Sequence, residues 1–89
     1  VTNVEPYLMN VSVWLKGNYR GSKASYIRVI VKETTGTESL YPIVSLDETP
    51  LGEFRYYIPG LKATDEASVV LFDQNFHELV RQKMIVYAN

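Results

Sequence analysis

From Gly52 onward the chain repeats one pattern three times. Apolar and polar residues alternate over a strand's length, turn residues follow, and no helical period intervenes. Phe54, Tyr56 and Ile58 alternate with Glu53, Arg55 and Tyr57, the period-two signature of a strand with one face buried and one wet. A second run, Ala67 to Asp73, follows Thr64-Asp65-Glu66. A third, Leu79 to Tyr87, follows the turn Asp73-Gln-Asn-Phe-His-Glu78. Strands at this spacing leave no room for crossover helices, so parallel architectures are excluded. The expectation is an all-β fold, a small antiparallel β-sandwich.

The first half extends the pattern. Residues 1–7 contain Pro6, which has no N–H to donate to a ladder, so this stretch reads as a linker or a short first strand. Met9, Val11, Val13 and Leu15 alternate with Asn10, Ser12, Trp14 and Lys16 as a strand. Gly17-Asn-Tyr-Arg-Gly-Ser22 reads as a loop with a Tyr19–Arg20 pair at its tip. Ile27, Val29 and Val31 form the inward face of the next strand, opposite Tyr26, Arg28, Ile30 and Lys32. Thr34 to Thr37 is a hairpin-type turn. Leu40 to Leu46 is a strand interrupted by Pro42, hence an edge or a bulge. The total is six or seven strands in one domain, 1–89. The expected core is Val11, Val13, Leu15, Ile27, Val29, Val31, Phe54, Tyr56, Ile58, Val69, Leu71 and Val86.

A chain of 89 residues supports one core, burying roughly 60–65% of the surface its unfolded form exposes. With 46% hydrophobic residues it has enough apolar surface to fold. Having no cysteine, it must be held by packing and strand pairing. A net charge of −1, nine basic against ten acidic residues, argues against nucleic acid as a partner, which would need a concentrated positive face. No run approaches the roughly 18 apolar residues of a membrane span. The chain starts at Val1 without a Met and reads as a piece excised from a larger multidomain protein, monomeric when isolated.

Residues with chemical potential are few. Asp73-Gln-Asn75 with Glu78 has part of a calcium loop's oxygen set but lacks the glycine at the bend, so an Asx-type turn is the simpler reading. His77 is the one histidine, and one imidazole without a thiolate is a poor start for a metal site. No serine sits on a strained strand-to-helix elbow, and no glycine-rich loop opens a helix. The expectation is therefore no catalytic residue, no metal and no cofactor. Aromatic residues are the remaining lead. Trp14, Tyr26 and Tyr57 lie on strand faces opposite the aliphatic set, and Tyr19 is in the loop. A row of exposed rings would suit carbohydrate stacking. The candidate ligand-binding residues are Trp14, Tyr19, Arg20, Tyr57, Phe76 and His77.

Several segments carry a family pattern: Val13-Trp-Leu-Lys-Gly-Asn-Tyr-Arg-Gly21, Tyr26-Ile-Arg-Val-Ile-Val31, Gly52-Glu-Phe-Arg-Tyr-Tyr-Ile58, Val69-Val-Leu-Phe-Asp73 and Val80 to Val86. Over roughly residues 8 to 88 the chain resembles the bacterial immunoglobulin-like repeats of Gram-positive cell-surface and secreted proteins. It departs from them at the last turn, where Phe76-His77 replace small residues. The resemblance implies an immunoglobulin-like sandwich and an extracellular or cell-wall location. It also implies a non-catalytic spacer role beside neighbouring domains of the same chain, with a glycan or a host protein as the contact if the module adheres. A carbohydrate-binding module is the alternative.

Overall fold

A computed structural model of the chain describes residues 3–4, 14–59 and 65–84. They form eight strand segments and no helix: β1 (Asn3–Val4), β2 (Trp14–Arg20), β3 (Tyr26–Lys32), β4 (Glu38–Leu40), β5 (Val44–Ser45), β6 (Glu53–Tyr57), β7 (Glu66–Phe72) and β8 (Glu78–Met84). All pairings are antiparallel. One sheet has the order β1-β2-β6. The other has the order β4-β3-β7-β8, with β5 also on β3. The fold is thus all-β and sandwich-like, as the alternation predicts.

The two sheets share one core. Leu15, Phe54 and Tyr56 of the first sheet meet Ile27, Val29, Val69 and Leu71 of the second. Every expected core residue within the described set is buried; Val11, Val13 and Val86 lie outside it. The central pair β3–β7 is more apolar than simple alternation requires. Ile30 and Val70 point away from the core cluster yet are also buried, so these two strands are covered on both faces and read as near-continuous Val/Ile runs.

Two expectations are corrected. Gly17–Ser22 is not a loop: β2 continues to Arg20, with Gly17 opposite Phe54 and Asn18 opposite Glu53. Leu15, Gly17 and Tyr19 continue the buried inward face, so the glycine lies within the strand and does not break it. Eight segments replace six or seven because the run from Leu40 to Leu46 splits into β4 and β5 around Pro42. Both pieces stay on β3, tied further by Tyr41 N–H to Val29 O and Leu46 N–H to Ser25 O, each 2.9 Å. A β-bulge lies between Leu71 and Phe72 and their partners Val80 and Glu78, leaving Leu79 as the extra residue.

Val29 is fully buried at the centre of β3, opposite Val69. Removing its two methyl groups by Val29→Ala should cost about 2 kcal/mol. In a domain this size the melting temperature should fall by roughly 10 °C. A thermal melt followed by circular dichroism checks this, with exposed Lys32→Ala expected to match the parent.

Candidate functional site

The described residues form an open groove of about 650 Å³. One wall is β6, through Arg55, Tyr56 and Tyr57. The other is the segment that carries Tyr41, Pro42 and Val44. The register makes these walls run side by side. Tyr57 is level with Trp14 at one end of the sandwich, and Ser45 is level with Tyr26 at the other. Trp14 closes the first end of the groove, while Asp47 and Glu48 lie at the second.

Three contacts shape it. Trp14 and Tyr57, cross-strand partners, meet edge to face with centroids 5.3 Å apart and planes at 69°, the arrangement that ring quadrupoles favour. The Arg55 guanidinium sits 5.8 Å from the Trp14 ring centroid, within cation–π reach. Across the gap, inward-facing Tyr56 donates its hydroxyl proton to Pro42 O at 2.6 Å. Burial pushes that hydroxyl above a phenol's ordinary pKa, with Arg28 pulling it down and Tyr41 adding to the rise. The hydroxyl stays a neutral donor at physiological pH and pins the two walls together.

The six candidate residues do not form one site. Trp14 and Tyr57 come together, with Tyr57 58% exposed. Tyr19 is not at a loop tip: it lies in β2, only 6% exposed, and its hydroxyl oxygen accepts from Ala24 N–H at 3.0 Å. Its ring is core, and the same hydroxyl anchors the turn into β3. Arg20, the last residue of β2, is exposed at the opposite end of the sandwich from Trp14. A continuous row of exposed rings is absent among the described residues, since Tyr19 is buried and Tyr26 is stacked under Phe76. The groove residues that sequence reading passed over are Tyr41, Pro42, Asp47 and Glu48. Pro42 marked the interruption of a strand, but nothing in the pattern showed that the interruption faces β6.

Phe76 and His77 belong to the β7–β8 turn. Asp73 O accepts from Phe76 N–H, and Asp73 N–H donates to His77 O, each at 3.0 Å. This is a three-residue hairpin loop, not a two-residue one. Asp73 Oδ1 also accepts from Asn75 N–H at 2.8 Å and His77 N–H at 2.9 Å, the Asx-type capping expected from the sequence. Phe76 takes the left-handed position with φ of 63°, where glycine is the usual occupant. Its ring stacks on Tyr26, centroids 4.3 Å apart and planes at 20°. His77 Nδ1 lies 3.3 Å from Asp73 Oδ2 and is 77% exposed, a surface turn contact. The described residues contain no group of three or more potential metal ligands. Comparison with protein-family models, curated proteins and solved structures finds no significant match to this chain.

Two outcomes follow from the turn. Phe76→Ala loses the Tyr26 stack and keeps the left-handed backbone cost, whereas Phe76→Gly loses the stack and removes that cost. The glycine variant should therefore be the more stable by about 1 kcal/mol or more in denaturant titration. The His77 N–H above all, and then the Asn75 N–H and the His77 side chain, hold the Asp73 carboxyl below the ordinary aspartate range, together outweighing the opposing effect of desolvation. A lowered folded value makes this stabilisation complete above the unfolded value of about 4 and lost as pH falls through the folded value. Melting temperatures of the parent and Asp73→Asn should differ at pH 7 and converge in acid.

Proposed function

We propose that this chain is a non-catalytic, immunoglobulin-like spacer module of a larger bacterial surface or secreted protein, monomeric and mechanically rigid. The observation that carries the reading is that the first and last described strands, β1 and β8, reach opposite ends of the sandwich. Asn3 pairs with Arg20 at one end of the sandwich. Met84 pairs with Ala67, whose β7 neighbour Glu66 is level with Lys32 at the other end. A module entered at one end and left at the other transmits load along its strands and adds its own length to a tandem array. Its Cα envelope measures 33 × 24 × 21 Å.

The partition of strands supports the immunoglobulin-like assignment. The chain crosses between sheets from β2 to β3 and again around β6, so strands consecutive in sequence are split between layers, as in Greek-key sandwiches. Its bacterial and extracellular setting rests on the segment resemblance alone. The glycan-binding alternative has less geometric support. Trp14 and Tyr57 stand at 69° to each other and Arg55 lies over the indole, so a sugar face would find one ring rather than a flat platform.

Tandem fusions of one to four copies, measured by small-angle X-ray scattering, test the spacer reading. The maximum dimension should grow by about the long axis of the module with each copy. A maximum dimension that barely grows, from copies folding back on one another, would overturn it.

A further inference from the structure

We propose that the outer edge of β6, with the groove beside it, takes an extended peptide as an added strand. The peptide would place an apolar side chain near Trp14 and Tyr57 and a basic one near Asp47 and Glu48. The inference does not depend on the spacer reading.

The argument starts from hydrogen-bond parity. Tyr19 N–H donates to Gly52 O at 2.8 Å, so Tyr19 and Gly52 form a bonded pair in the β2–β6 ladder. In an antiparallel ladder bonded pairs alternate with non-bonded ones. The bonded set therefore continues with Gly17–Phe54 and Leu15–Tyr56. Glu53, Arg55 and Tyr57 must direct their backbone groups the other way, off the edge of the sheet. Glu53 N–H is taken by Pro50 O at 3.1 Å. For the N–H and C=O of Arg55 and Tyr57 no partner exists among the described residues. These groups recur two residues apart, about 7 Å, the repeat another strand presents.

The neighbouring segment does not supply that strand, although it precedes β6 in the chain and borders the groove. Between Glu38 and Leu46 its strand-type pairings go to β3 and to the turn before it: through β4, then Tyr41 N–H to Val29 O, then β5, then Leu46 N–H to Ser25 O. Toward β6 it offers only Pro42 O, to the Tyr56 side chain, among the described residues. The Arg28 guanidinium reinforces this, donating through Nε to Tyr41 O at 3.0 Å. The segment is a wall facing β6 across the groove. The groove consequently has a strand's shape, with an unpaired backbone edge along one side and aromatic and proline surface along the other. Main-chain pairing supplies affinity in such sites and the flanking pockets supply choice of side chain.

Charge selects the occupant further. Asp47 and Glu48 are exposed at one end of the groove and make no ion pair among the described residues. At the other end Arg55 is already engaged with the indole. An extended segment carrying Lys or Arg a few residues from an apolar side chain matches both ends.

The test uses the full 89-residue chain. Amide hydrogen exchange by NMR should show Phe54 and Tyr56 protected by the β2 ladder and Arg55 and Tyr57 exchanging fast. A phage-displayed library of random dodecapeptides is then panned and the enriched peptide synthesised. It should carry a basic residue, slow exchange at Arg55 and Tyr57, and lose affinity when N-methylated at alternate residues in one frame only. Arg55→Pro removes an outward N–H that the β2 ladder does not use, so it should fold. It should weaken binding by at least about tenfold, whereas Arg55→Ala stays within about threefold of the parent. If Arg55→Pro fails to fold, the N-methyl scan of the peptide gives the same answer. Protection of Arg55 and Tyr57 in the free chain, absence of an enriched peptide, equal binding by Arg55→Pro, or dimerisation of the chain through β6 would each overturn the proposal.

Discussion

The pairing of β3 with β7 is the constraint on which the other elements depend. Seven residues of each strand face one another from Tyr26–Phe72 to Lys32–Glu66. The pair is buried on both sides, Val29 and Val69 toward the core and Ile30 and Val70 away from it. Such a ladder tolerates no slip, because a shift of one residue exchanges the two faces of a strand. Every other element takes its place by reference to it. β8 extends it on one side, β4 and β5 on the other, and β2 and β6 cover its inner face through Leu15, Phe54 and Tyr56.

From that allegiance comes the open edge of β6. A connecting segment between the two sheets can bond to either of them. Here Tyr41, Leu46 and the short strands β4 and β5 all bond toward β3, while the Tyr56 hydroxyl reaches back across to Pro42. Among the described residues the result is a sandwich closed along its core and open along the β6 flank. A module built to span distance and a module with a strand-shaped groove are compatible in one chain, since the groove runs along a side of the sandwich.

The turns show how local chemistry is spent. Asp73 satisfies two amides of its own turn, which lets Phe76 occupy a left-handed position that disfavours side chains. The stack on Tyr26 recovers part of that cost and ties the β7–β8 hairpin to the start of β3. Tyr19 does comparable work inside, its ring in the core and its hydroxyl taking the Ala24 N–H. Tyr19 looked like a surface contact in sequence, because an aromatic between glycines has the same signature whether its ring points outward or into the core, whereas Phe76 remains half-exposed above Tyr26.

Strand type, the apolar faces of β3, β6 and β7 and the Asx turn at Asp73 were legible in the residues alone. They rest on period-two alternation and on short side chains that bond their own backbone, which are local properties. Tertiary structure alone decided that Gly17 continues a strand, since its place in the ladder opposite Phe54 depends on pairing with a segment distant in sequence. Tertiary structure also decided that Tyr19 is core and that Trp14 and Tyr57 share a groove with Tyr41, Pro42, Asp47 and Glu48. These outcomes depend on which sheet the segment from Glu38 to Leu46 joins. That choice compares backbone hydrogen bonds to two distant partners, and alternation within the segment is the same for either one.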